Sequence, residues 1–209
     1  MTVLYVDTSS NYLYAGIVQN DKLLVERALN LSHDLSTFAI DEIDKMYKEI
    51  NLDKNMVDKI IVVSGPGSFT GIRIGMTFAK MYAYCLKKEI TTITSLEAMS
   101  CSIPDECIKV PMIDARRGYV YAAIYDGDNA LLEPEHILLN ELLQKLEGLD
   151  KKYIFISNNK FNNLNVQEYK PDILKIVKKY EHKASINPHL VVPTYLKLTE
   201  AEENKMKEN

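Results

Sequence analysis

The sequence is short of paired cysteines, of excess positive charge and of long apolar runs. Its three cysteines, Cys85, Cys101 and Cys107, are an odd number without CxxC spacing, which fits reduced structural thiols better than a disulfide framework. Twenty-five Lys and Arg against 29 Asp and Glu leave a formal net charge of −4, so the average field repels phosphate backbones and any RNA needs a basic surface from elsewhere. No window approaches the roughly 20 apolar residues of a membrane span, and "MTVLYVDTSS" carries no positive leader, so a cytoplasmic protein without membrane contact is expected. The four histidines, His33, His136, His182 and His189, are scattered. Without a pair at helical spacing they give no reason to expect a metal.

What is present suffices to fill one large core or two small ones, with 46% hydrophobic residues in 209. "TVLYVDTSS", "YLYAGIVQ" and "KLLVERALN" read as an antiparallel meander, turning at Asp7–Asn11 and at "QNDK". Ser32 is placed to cap a helix from His33 to Ile50, with Leu35, Phe38, Ala39, Ile43, Met46 and Tyr47 at helical spacing. "DKIIVVS" is a continuously apolar strand and implies a sheet covered on both faces. After it come a glycine loop, a helix from about Gly71 to Lys87, the strand "ITTIT" and a short helix capped by Ser95.

A second series of similar order begins near Pro104. An offset of 107 lays "DTSSNYLYAGIVQND" over "DARRGYVYAAIYDGD" with six identities in fifteen positions, among them Asp7 with Asp114 and Tyr12 with Tyr119. Self-similarity of this kind implies a duplicated hairpin, one per domain. The expected organisation is a lobe of residues 1–104, a shorter lobe of 105–198 and a mobile charged tail of 199–209.

The loop "SGPGSFTGIRIG" lacks the lysine of a Walker loop, since Ile72 follows Gly71, and its GxGxxxG spacing does not match the dinucleotide fingerprint. A tight strand-to-helix turn and a phosphate contact both remain open. On the following helix Arg73, Thr77, Lys80 and Lys87 form the only polar stripe. Ile74, Phe78, Met81 and Cys85 stand on one flank, and Gly71, Gly75, Ala79 and Ala83 form a small-residue seam that permits close helix approach. One face should pack on the helix's own sheet and another on a second helix, so a charge at Ile74 or Ala79 is expected to break an assembly. Asp7 and Asp114, with Thr8, Ser9 and Arg116 in the same turns, are candidate phosphate or Mg²⁺ contacts, or simply residues that hold turn amides.

Taken in order, "VDTSSNYLYAGIV", "SGPGSFTGIRIG", "TSLEAMS", "IDARRGYVYAAIY" and "PTYLK" resemble the bacterial TsaB (YeaZ) family. The resemblance implies an α/β fold of the actin, sugar-kinase and Hsp70 (ASKHA) superfamily, with two duplicated lobes. It further implies a subunit without catalysis of its own, required by the machinery that forms N6-threonylcarbamoyladenosine on tRNA. The catalytic paralogue there is TsaD, a TsaE-like ATPase joins the assembly, and ATP with Mg²⁺ and threonylcarbamoyl-AMP are used by the complex, none bound tightly by this chain alone. Family members bind TsaD, or self-associate, through the first two helices, and tRNA is met through the complex. Carried over, the interface comprises Leu35, Phe38, Gly71, Ile72, Ile74, Gly75, Phe78, Ala79, Tyr82 and Ala83. The rival reading, from the paired aspartate hairpins, is an autonomous ATP-dependent kinase or hydrolase.

Overall fold

The computed structural model describes residues 1–104, 106–149 and 151–197; the segment 199–209 expected to be mobile lies outside them. The described residues divide into two units, one of residues 1–103 with 169–193, the other of 104–168 with 194–197.

In the first unit β1 (Thr2–Asp7), β2 (Tyr12–Gln19) and β3 (Lys22–Asn30) form the antiparallel meander. Then come α1 (Leu35–Glu49), β4 (Lys59–Val63), α2 (Phe69–Leu86), β5 (Glu89–Ile93) and α3 (Ser95–Cys101). β4 and β5 add in parallel on the far side of β1, giving the order β3-β2-β1-β4-β5. The alternation along β2 is decisive for layering. Leu13, Ala15 and Ile17 point into one core with Leu4, Val6, Ile60 and Val62, and α1 and α2 cover it with Ile43, Met46, Ile72 and Met76.

The second unit repeats this plan. β6 (Ile108–Asp114), β7 (Tyr119–Asp126) and β8 (Asn129–Leu138) form a meander, α4 (Leu139–Glu147) follows, and β9 (Tyr153–Ile156) and β10 (Val166–Gln167) pair in parallel. The order β10-β9-β6-β7-β8 is that of the first sheet, element for element. Val110, Met112, Val120, Ala122 and Ile124 make its core with Leu142 and Leu146 of α4. This duplicated mixed-sheet α/β architecture is the one the resemblance implied.

Two helix starts differ from expectation. Ser32 does not cap α1: it lies in a short 3-10 turn, Ser32–Asp34, and its hydroxyl bonds Asn30 Oδ1 at 2.7 Å, while Asp34 occupies the cap position without a side-chain bond. Ser95 is the first residue of α3 rather than its cap, and Thr94 makes a full capping box with Glu97. The Ser95 hydroxyl instead donates to the Pro66 carbonyl and ties α3 to the glycine loop.

The larger correction concerns residues 169–193, expected in the second lobe and found with the first unit. Their helix α5 (Ile173–Tyr180) buries Ile173, Ile176, Val177 and Tyr180 and packs on β1, β2 and β3. Gly16 shows which face it takes. Gly16 points away from the α1–α2 core, and a Cβ there would lie 2.7 Å from the Ile173 side chain. α5 therefore supplies the second cover that the unbroken burial of β1 requires.

Candidate partner-docking site

The glycine loop packs against its own chain. A Cβ on Gly67 would fall 2.1 Å from the Ser9 carbonyl oxygen, one on Gly71 2.1 Å from the Thr8 carbonyl oxygen, and one on Gly75 2.3 Å from the Thr8 hydroxyl. The Thr8 hydroxyl donates to the Gly71 carbonyl at 2.7 Å and the Ser68 amide donates to the Ser9 carbonyl at 2.7 Å. Ser68 caps α2, its Oγ accepting the Gly71 amide at 3.2 Å. The amides of Ser68 and Gly71, which a phosphate-binding loop would aim at its ligand, are thus engaged within the chain. The small-residue seam is a clasp between α2 and the turn after β1.

Both hairpin aspartates hold turn amides. Asp7 Oδ1 accepts from the Ser9 amide at 2.8 Å and Asp114 Oδ1 from the Arg116 amide at 2.8 Å. Their surroundings differ. Asp7, Thr8 and Ser9 are buried, whereas Asp114 and Arg116 are exposed. Burial pushes the Asp7 carboxyl above the usual carboxylate range, against the opposing pull of its hydrogen bonding with Ser9. Burial, with the nearby Asp7 charge contributing, also raises the Tyr5 and Tyr169 hydroxyls well above the ordinary tyrosine value. Among the described residues no cluster of three His, Cys, Asp or Glu side chains is placed to hold a metal ion.

The open surface lies on the other side of α2. Between α1 and α2 runs a groove of about 800 Å³, lined by Ile40 of α1 and by Phe69, Ile74, Phe78, Met81 and Leu86 of α2, with Arg73 and Lys54 among its polar residues. In it Ile40 is 51% exposed, Phe69 56% and Met81 62%, a concentration of large apolar side chains in water on two adjacent helices. Arg73 caps one end, its guanidinium 3.7 Å from the Phe69 ring centroid. The floor is rigid. Tyr82 donates to the Lys54 carbonyl at 2.7 Å and accepts from the Tyr47 hydroxyl at 2.8 Å, joining α2 to α1. Burial, and then this donated bond, hold the Tyr47 hydroxyl protonated far above its usual range.

Comparison with known proteins adds to this geometry. A family model described as TsaD, tRNA N6-adenosine threonylcarbamoyltransferase, matches residues 31–166, well over half of the chain. The chain belongs to this family. Within it the chain sits in the TsaB (YeaZ) group: it is 29% identical over 223 residues to the tRNA threonylcarbamoyladenosine biosynthesis protein TsaB of Bacillus subtilis, covering 97% of this chain and 96% of that one. To the tRNA N6-adenosine threonylcarbamoyltransferase of Prosthecochloris aestuarii it is 28% identical over 112 residues, 47% of this chain but 32% of that enzyme. The solved structure of YeaZ from Pseudomonas aeruginosa shares the fold, with a TM-score of 0.69 at 15% identity over 93% of this chain and 99% of that chain.

Of the interface residues carried over from TsaB, the structure divides buried from accessible. Leu35, Ile72, Ala79 and Ala83 are buried in the chain's own core, and Gly71 and Gly75 face Thr8, so these six offer no surface to a second helix, whereas Tyr82, 8% exposed, lines the groove floor. The physical reason is the clasp, which uses the small-residue seam to bring α2 onto its own strand. Ile74 and Phe78 line the groove with Tyr82, and Phe38 is exposed on α1 outside the groove lining. Sequence reasoning omitted Ile40, Phe69 and Met81. Met81 was within reach, since it shares the Ile74, Phe78 and Cys85 flank; Phe69 was lost because the helix starts two residues before Gly71.

Proposed function

We propose that this chain is a non-catalytic subunit of the machinery that makes tRNA N6-threonylcarbamoyladenosine, and that it holds a TsaD-like catalytic paralogue through the α1–α2 groove. The observation that carries the reading is the groove itself, an apolar floor on the two helices through which TsaB proteins are expected to bind. The clasped glycine loop supports it, because its Ser68 and Gly71 amides are used inside the fold. On this reading a TsaE-like ATPase, ATP with Mg²⁺ and threonylcarbamoyl-AMP belong to the assembly, tRNA is met through the complex, and self-association uses the same groove when the paralogue is absent.

The test is light scattering of the chain mixed with a TsaD-like protein, comparing wild type with Met81→Asp and Ile40→Asp. Both side chains are more than half exposed, so the variants should fold as wild type by circular dichroism. A carboxylate forced into an apolar contact costs about 3 kcal/mol, which is roughly a hundredfold in affinity. Binding unchanged in the folded variants would remove the groove from the interface. Ala79→Glu cannot serve here, because Ala79 is 0% exposed in the core and a glutamate there would disrupt the fold itself.

A further inference from the structure

The duplication yields one turn in two versions. In the first unit the turn after β1 is sealed beneath α2 through Thr8 and Ser9. In the second, Asp114 makes the same hydrogen bond to the amide two residues on, but no helix lies between β9 and β10 to cover the turn, and residues 116–118 are exposed. Where the first copy has Ser9 and Ser10, the second has Arg116 and Arg117. Their φ angles are +67° and +53°, with Gly118 at +79°, and the Tyr119 amide closes the turn on the Arg116 carbonyl at 3.0 Å. This left-handed backbone suits asparagine and glycine, so two successive arginines are held there against local preference. Among the described residues neither guanidinium is in an ion pair.

Beside the turn lies an aromatic ledge. Tyr119 stacks on His136 with centroids 4.5 Å apart and planes within 7°, and Tyr121 meets the same imidazole at 5.3 Å. Tyr119 is 36% exposed. Two planar cations next to a stacked ring pair combine the elements that take phosphate oxygens and a base face.

We propose that this hairpin tip contacts an unpaired segment of RNA, Arg116 and Arg117 engaging phosphates and Tyr119 stacking on a base. The choice of RNA rests on the tRNA-modification reading above. The ring ledge favours it over an acidic peptide, which offers no planar face, and over a duplex, whose bases are stacked inside. With a net charge of −4 the contact is local, and it is strongest at low salt.

The experiment is fluorescence anisotropy of the full chain with a labelled hairpin RNA bearing an unpaired loop, repeated over a salt series and with a blunt duplex. Wild type should prefer the looped RNA at low salt. Arg116→Glu/Arg117→Glu should weaken binding at least about tenfold and flatten the log–log salt slope by roughly 1.4, the value for two phosphate contacts on a single strand. Tyr119→Ala should weaken binding about tenfold with the slope unchanged. Arg117→Asn, which suits the backbone, should lose affinity without losing thermal stability, so misfolding is not the cause. No binding by wild type at low salt, equal binding by the double variant, or equal affinity for the duplex would each overturn the proposal. The arginine variants should still capture the TsaD-like protein and Met81→Asp should still bind RNA, so failure of one reading is separable from failure of the other.

Discussion

Gly71→Ala is expected to lower the melting temperature of the isolated chain by roughly 6 to 12 °C, measured by calorimetry at neutral pH. Helix propensity alone points the other way, because alanine is better than glycine inside a helix by about 1 kcal/mol. Sterics decide the sign. The added methyl would sit 2.1 Å from the Thr8 carbonyl oxygen, a backbone atom fixed at the end of a fully buried strand. α2 would have to retreat by about an ångström, breaking the Thr8 hydroxyl bond to Gly71 and the Ser68 amide bond to Ser9. Overpacking typically costs 1–3 kcal/mol and occasionally more, and with the lost bonds the net is about 3 kcal/mol, at 2–4 °C per kcal/mol for a chain of this size. Gly148→Ala is the control, since nothing lies within 4 Å of a Cβ there and its φ of −88° suits alanine. Equal melting of the two variants would show that the seam tolerates a methyl group and that the clasp is not tight.

That same seam shows what the sequence could and could not convey. A row of small residues every fourth position says that something approaches closely, and a helix partner and a strand-turn partner leave the same trace. Only the structure distinguishes them, through Thr8, a residue over sixty positions away. The duplication was far more legible. β2 and β7 lie at 12–19 and 119–126, displaced by the offset of 107 that aligned the two hairpins, because side-chain alternation and a fixed turn length lock register together. α5 was illegible for the opposite reason. Its eight residues carry one apolar stripe, which states that a sheet is needed but not which of two identical topologies provides it. For the groove, the outward flank of α2 was named but could not be told from the inward one, since both are apolar; exposure of Met81 beside burial of Ala79 decides it.

Asp7 is where the scaffold and enzyme readings part, and its titration gives the sharpest contrast. Its folded-state pKa is raised by burial, so the folded chain binds more protons than the unfolded chain over the interval between the two values. Stability from this group is therefore fullest below the unfolded carboxylate value, near 3.9, and declines as pH rises through the folded value. Above that it remains a fixed penalty. Asp7→Asn keeps an oxygen for the Ser9 amide and removes the charge, so it should melt higher than wild type at pH 7, with the gap closing as pH falls toward 4. Asp7→Ala leaves the buried Ser9 amide without its acceptor, which costs about 2 kcal/mol or roughly 4–8 °C. Asp114→Ala, at the exposed copy of the turn, should change little because water can replace the carboxylate. An autonomous ATP-dependent enzyme would instead keep Asp7 ionised for catalysis and lose turnover on Asp7→Asn, the usual cost of placing a functional charge where the fold disfavours it. A stabilised Asp7→Asn variant that still binds the TsaD-like paralogue would assign this aspartate to the clasp; a destabilised one would mean that the buried charge has a partner to which the fold is adapted, and the enzyme reading would regain its main support.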